Sequence, residues 1–239
     1  MDTDTRRPDE EIPFYHPIPT ADRPLAGLTV LVVEDSRFAS EALRLMCLRS
    51  GARIRRADCL ASAHRHLNTY RPSVAIIDLG LPDGSGLSLI DEMHRTSPRV
   101  PVLLATSGAE RQAAARASRN AGADGFLPKP VDSLSAFQTE ILKHLPPEMQ
   151  PRGPRAVATQ LLCPDRLALR DDLTHALELL DQDRLPADYL RRFLLGIARS
   201  ASDVGLLETV RALPVHLAHA DRANLRALLA DRVAGMEAV

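Results

Sequence analysis

Between residues 28 and 145, short continuously apolar runs alternate with segments of helical periodicity, and this alternation restricts the chain more than any other feature. Thr29–Val33 is apolar and largely β-branched, the pattern of a strand buried on both faces. It ends in Glu34-Asp35-Ser36, and a helix is predicted behind it with Phe38, Ala42, Leu45 and Leu48 on one face and Gly51 as its stop. Ala52–Ala57, carrying Arg53, Arg55 and Arg56, reads as a half-exposed edge strand. Ala61–Tyr70 reads as the next helix, ended by Pro72. Val74–Ile77 is another buried run, followed by Asp78 and the turn-rich Pro82-Asp83-Gly84-Ser85-Gly86. A helix over 86–96, a strand over Val100–Ala105, a helix over Glu110–Ala121, a short strand over Asp124–Leu127 and a helix over Leu134–Leu145 complete the series. Five βα units in about 120 residues predict a doubly wound α/β domain with a parallel sheet and helices on both faces. In such a sheet the site lies outside the carboxyl ends of the strands.

The flanks read differently. Residues 1–27 hold Pro8, Pro13, Pro17, Pro19 and Pro24 among charged residues without periodicity, and are expected to form a flexible N-terminal arm. Ile12, Phe14, Tyr15 and Ile18 make a weak apolar cluster within it. Residues 146–156, with Pro146, Pro147, Pro151, Gly153 and Pro154, read as a linker. From 157 to 239 the pattern is helical. Leu173, Ala176, Leu177 and Leu180 form one stripe and Leu190, Phe193, Leu194 and Ile197 a second; Leu206, Leu207, Val210 and Leu213 form a third and Leu225, Leu228, Leu229 and Met236 a fourth. Asp165 and Asp221 suit N-cap positions and Pro186 a first helical position. A small all-α bundle is therefore expected to follow the α/β domain of 28–145.

Composition narrows the function classes. Hydrophobic residues are 45% and charged residues 26%, as in a soluble globular chain, while aromatics are 3% with no tryptophan, so the cores rest on Leu, Val, Ile and Ala. A net charge of −1 gives no overall basic field for nucleic acid or an anionic membrane. No apolar run approaches the roughly 18 residues that span a bilayer, and the N-terminus lacks a signal-peptide pattern. Cys47, Cys59 and Cys163 show no CxxC spacing and read as free thiols in a reducing compartment, so a cytoplasmic protein is expected. Only Lys129 and Lys143 of the 30 basic residues are lysines.

At the predicted strand ends polar residues collect. Glu34 and Asp35 end the first strand, Asp78 the third and Thr106 the fourth, and Lys129 follows the fifth within Pro128-Lys129-Pro130. Singly each is weak, since Asp35 or Ser36 could simply cap the first helix. Together they suit one task. Three converging carboxylates repel each other unless a cation neutralises them, and all-oxygen ligation suits Mg²⁺. A carboxylate can also act as a nucleophile and form an aspartyl phosphate. Phosphoryl transfer spreads charge over three equatorial oxygens, which a cation, a lysine and a hydroxyl can share.

Val30-Leu31-Val32-Val33-Glu34-Asp35-Ser36, Ile77-Asp78-Leu79-Gly80-Leu81-Pro82-Asp83-Gly84-Ser85-Gly86, Ala105-Thr106-Ser107 and Gly122-Ala123-Asp124-Gly125-Phe126-Leu127-Pro128-Lys129-Pro130 resemble, in order, the receiver domain of bacterial two-component response regulators. The resemblance spans about residues 28–145. It implies a flavodoxin-like doubly wound five-stranded parallel sheet, with Asp78 accepting a phosphoryl group from a histidine kinase or histidine phosphotransfer protein. It further implies that Asp35, Asp78 and the Gly80 carbonyl hold Mg²⁺, with Glu34 acting through a metal-bound water. Lys129 would pair with the phosphoryl group, Thr106 would bond it, and Phe126 would turn inward as Thr106 moves; an ordinary half-buried Phe is the competing reading. A cis bond before Pro130 is expected. Gly80 and Gly108 leave the site without flanking side chains, so water is expected to reach the acyl phosphate easily.

The helical domain matches no output domain by its residues. From Gln150 onward there are 12 Arg, no Lys and 12 Asp plus Glu, so the basic stripe of a DNA reader is missing, and Arg191, Arg192 and Arg199 read as a solvated face. His175 lacks the surroundings of a phosphotransfer histidine, and His216 with His219 lacks further metal ligands. No catalytic motif is present, so the chain is not expected to be an enzyme. Output through protein contacts is expected: phosphorylation would change the face of the fourth helix, fifth strand and fifth helix, altering self-association, as in a homodimer, or contact with a kinase, a phosphotransferase or another regulator. The alternative is a divergent DNA-binding domain, which would make the protein a transcription factor; no membrane partner is expected.

Overall fold

The computed structural model describes residues 17–151, 165–181, 187–214 and 217–237. The α/β domain runs β1 (Thr29–Val33), α1 (Arg37–Arg49), β2 (Arg53–Ala57), α2 (Leu60–Leu67) and β3 (Val74–Asp78). A short antiparallel hairpin follows, β4 (Gly80–Leu81) with β5 (Gly84–Ser85). Then come α3 (Gly86–Arg95), β6 (Val102–Ser107), α4 (Arg111–Asn120), β7 (Gly125–Pro128) and α5 (Leu134–His144). The main sheet has the order β2-β1-β3-β6-β7 with every pairing parallel, the flavodoxin-like doubly wound arrangement expected from the sequence.

The apolar runs are continuous because each strand supplies two cores. Val30 and Val32, Val74 and Ile76, Val102 and Leu104 face one side, where Leu43 and Met46 of α1 and Phe137 and Ile141 of α5 cover them. Leu31 and Val33, Ala75 and Ile77, Leu103 and Ala105 face the other, under Leu89, Ile90 and Met93 of α3. β2 is the exposed edge that its arginines predicted. In α1 the buried face is Phe38, Ala42, Leu43, Met46 and Cys47; Leu48, expected to face inward, is exposed. Both stripes have helical spacing, and contact with the sheet selects between them.

The segment 1–27 is not an arm up to residue 27. Leu25 is fully buried in the first core, and its N–H donates to Ser50 O at 2.9 Å. Its proline-rich setting hides this, since one leucine shows no periodicity. Residues 1–16, with Ile12, Phe14 and Tyr15, lie outside the described residues, as do Cys163, Pro186, His216 and the linker beyond Pro151. Within that linker Pro147–Met149 forms one 3₁₀ turn, and Met149 packs on the first core.

The C-terminal part is helical as expected: α6 (Arg166–Asp181), α7 (Ala187–Ser200), α8 (Val204–Ala212) and α9 (His219–Glu237). Residues from all four stripes, among them Leu173, Ala176, Leu190, Phe193, Leu206, Val210, Leu225 and Leu229, share one buried core. Asp165 Oδ1 accepts from Leu167 N at 3.0 Å, as an N-cap does. Asp221 instead lies in the first turn of α9 and reaches back to Ala218 N. Asp203 caps α8 through Leu206 N and holds Arg232 of α9 at 2.6 Å.

This helical domain rests on the α/β domain at the end of the sheet where the strand carboxyl ends lie. Asp172 of α6 sits over the start of α1, where the first N–H groups of any helix lack partners. Its Oδ1 accepts from Arg37 N at 2.8 Å, and its Oδ2 accepts from Phe38 N at 3.0 Å and from the Ser36 hydroxyl at 2.7 Å. Ser36 itself caps α1 through Ala39 N.

Candidate functional site

The carboxyl ends of β1, β3, β6 and β7 bring the sequence-predicted residues together. Glu34 and Asp35 follow β1, Asp78 is the last residue of β3, and Lys129 follows β7. Lys129 Nζ lies 2.7 Å from Glu34 Oε2, 2.8 Å from Oε1 and 3.0 Å from Asp78 Oδ2. One carboxylate oxygen each from Glu34, Asp35 and Asp78 fall within 4.8 Å of one another. Glu34 is 3% exposed, Asp78 7% and Lys129 8%, while Asp35 is half-buried. The Lys129–Pro130 bond is cis, as expected.

Enclosure sets the electrostatics. Burial lifts the Glu34 carboxyl well above the ordinary glutamate value, more than neighbouring Lys129 offsets, and Asp78 and Asp35 add to the rise. Burial, helped by Asp78, pushes Asp35 up to about 7 against the pull of Lys129 and of a hydrogen bond from Tyr189. For Lys129, burial alone would lower the ammonium; Asp78, Glu34 and Asp35 outweigh it and hold it far above its usual value. One lysine thus faces three carboxylates, a deficit of positive charge that a hard divalent cation with oxygen ligands fits.

Thr106, expected at a strand end, lies inside β6 directly opposite Asp78 in register. It is fully buried, and its hydroxyl has no hydrogen-bond partner among the described residues. Such an orphan is rare in folded proteins and marks a donor free for an acceptor brought in from outside. Phe126 pairs with Ala105 in β7, is half-buried and packs against the second core. Gly80 opens β4, two residues after Asp78, and Gly86 starts α3 so close to β3 that a Cβ there would meet Asp78 O. His175 is exposed beside Glu178, and His219 is exposed at the start of α9.

Gly80 and Gly108 both lie against the helical domain. A Cβ built on Gly80 would lie 3.7 Å from Arg192 Cβ, and one on Gly108 would lie 2.8 Å from Gly196 Cα, both in α7. Gly108 is buried, and helix α7 occupies the space beside both glycines in the unphosphorylated chain. Sequence reasoning also missed Tyr189, whose hydroxyl donates to Asp35 Oδ2 at 2.8 Å, and Asp172. Both left a trace. Asp172 is a carboxylate within the apolar stripe of α6, and Tyr189 is the one tyrosine of the helical domain.

The response regulator receiver domain family matches residues 30–139, and that segment is a receiver domain. Over 103 residues the chain is 36% identical to the virulence transcriptional regulatory protein PhoP of Salmonella typhimurium (strain 14028s / SGSC 2262), covering 43% of this chain and 46% of that protein. It is 35% identical, over the same length and shares, to the transcriptional regulatory protein PhoP of Escherichia coli (strain K12). The chain spans less than half the length of these curated relatives. Among solved structures, a putative response regulator from Chloroflexus aurantiacus J-10-fl is 27% identical, with 48% of this chain and 98% of that one covered and a TM-score of 0.44.

Proposed function

We propose that this chain is a two-component response regulator in which Asp78 accepts a phosphoryl group from a histidine kinase or histidine phosphotransfer protein. The observation that carries this is the convergence of Glu34, Asp35 and Asp78, with Lys129 at 3.0 Å from Asp78 and, opposite it, a Thr106 hydroxyl without a partner among the described residues. In the transfer a carboxylate oxygen of Asp78 attacks phosphorus and the donor's P–N bond breaks. With phosphoramidate as donor the nitrogen leaves as ammonia. Lys129 moves from Asp78 toward the arriving oxygens, and Thr106 supplies a donor that has no other partner among the described residues. Mg²⁺, held by Asp35, Asp78 and the Gly80 carbonyl with Glu34 reached through water, would neutralise charge on the phosphoryl oxygens.

The helical domain then carries the output through protein contacts. The family match ends at residue 139, so the role of the PhoP proteins as transcriptional regulators does not reach it, and its balanced charge does not favour DNA. The test is incubation with phosphoramidate and Mg²⁺, followed by mass spectrometry of the intact chain. Wild type should gain one acid-stable, base-labile phosphoryl group's mass, and Asp78→Asn should not. Labelling of Asp78→Asn at the wild-type rate would refute the assignment.

A further inference from the structure

Asp78 sits at the open end of the strands, where a phosphodonor has to reach it, yet it is 7% exposed. Helix α7 lies across this end of the sheet. Tyr189, itself 3% exposed, binds Asp35 through its hydroxyl at the N-terminal end of this helix. Arg192, one turn on, lies against Gly80. Gly196, a further turn on, is buried between two parts of the site: a Cβ built on it would lie 3.7 Å from Lys129 Nζ, and its own backbone blocks any Cβ on Gly108. Arg199 closes the row by donating to Ala109 O. One face of α7, at helical spacing 189, 192, 196 and 199, therefore crosses the loops after β1, β3 and β6 and the lysine after β7.

In-line transfer needs the leaving nitrogen opposite the attacking oxygen, with phosphorus between them. A phosphohistidine on a folded protein must bring a whole surface up to that line. A cleft of about 1040 Å³ lined by Asp35, Arg37, Arg65, His175, Glu178 and Tyr189 opens beside Asp35, but Asp78 is not part of its wall. The cleft therefore does not bring a donor, small or large, to Asp78 while α7 is docked.

We propose that the C-terminal helical domain is a lid on the acceptor site, and that docking of α7 and phosphorylation of Asp78 exclude each other. This rests on Asp78 being the acceptor. Because coupling between two events is reciprocal, a lid that slows phosphorylation is itself released by it, baring the α6 and α7 face that now covers the receiver. Substrate access and signal output are then one movement.

The test uses the full chain as wild type, Tyr189→Phe, Gly196→Leu and Asp78→Asn. Gly196→Leu places a branched side chain against Lys129 without a helix-propensity penalty. Tyr189→Phe keeps the ring stacked on Phe193 and removes only the bond to Asp35. Two quantities are read: amide hydrogen exchange across Ala187–Ser200, and the rate of labelling by phosphoramidate with Mg²⁺. Exchange and labelling should both rise, by about tenfold for the loss of one bond to a carboxylate in Tyr189→Phe and by more in Gly196→Leu. Faster exchange with unchanged or slower labelling overturns the lid, and so does unchanged exchange in both variants. If α7 opens but no variant takes label, or Asp78→Asn labels like wild type, the acceptor assignment has failed instead.

Discussion

Asp172 offers the sharpest quantitative test of how the two domains hold together. It is 2% exposed and accepts three hydrogen bonds across the interface, from Arg37 N, Phe38 N and the Ser36 hydroxyl. Bonds to a charged group are worth about 1.5–3 kcal/mol each, so the gross figure is roughly 4.5–9 kcal/mol. Two effects reduce it. Water takes over the α1 donors once the domains part, and the buried carboxyl carries a desolvation cost, the largest cause of its raised pKa. A net loss of about 3 kcal/mol is expected for Asp172→Ala, or roughly a hundredfold in the docking equilibrium. The neighbouring Asp171→Ala is the control. Asp171 pairs with Arg37 at 2.8 Å, but their side chains are 35% and 68% exposed, so its loss should cost under about 1 kcal/mol. Amide hydrogen exchange at Arg37 and Phe38 reads both. Protection falling by about two orders of magnitude in Asp172→Ala and under about fivefold in Asp171→Ala is the expected pattern. Equal, small effects from the two variants would refute the claim that buried capping across the interface dominates docking.

Three further outcomes follow from the charges and burial. Lys129→Met leaves Glu34 and Asp78 without the ammonium between them; by analogy with other broken buried pairs this costs about 3–5 kcal/mol, or roughly 10 °C in a thermal melt, and a shift of a degree or two would contradict it. Cys47 is fully buried and its thiol is pushed up to about 12 by burial, so of the two described cysteines iodoacetamide should modify half-exposed Cys59 alone until denaturant is added. The hydrogen bond to Arg232 holds the Asp203 carboxyl below its ordinary value. A depressed folded pKa adds stability that is complete above about pH 4 and drains as pH falls through the folded value. The melting-temperature gap between wild type and Asp203→Asn should therefore close on acidification below about pH 4, and a gap constant from neutral pH down to 3 would refute this.

The receiver sheet and its site were readable because two independent patterns coincide there. Runs such as Val74–Ile77 are apolar on every residue, which only a strand buried on both faces requires, and each ends where a charge appears. Strand order therefore placed Glu34, Asp35, Asp78 and Lys129 together before any distance was known. Where one pattern stood alone the reading failed. The stripe through Leu48 has the right period for an inward face, but the Leu43 and Met46 stripe has it too, and only the sheet decides. Leu25 has no period at all. The covering of the site could not be read because it joins residues far apart in sequence, Asp35 with Tyr189 and the start of α1 with Asp172, through polar contacts that leave no periodic pattern. Apolar stripes say that a helix packs; they do not say which face of another domain receives its polar side.

The meeting of Gly108 with Gly196 bears on how such a chain can change over generations. What obstructs a side chain at 108 is main chain, so no replacement at 196 makes room for it. Glycine at 108 is thus tied to the path of a helix in another domain, not to the identity of a residue there. Recombination that parts the receiver from its helical partner lifts the restriction at a stroke. Descendants that keep the helical half should hold glycine at this position, and those that lose it should let the position drift.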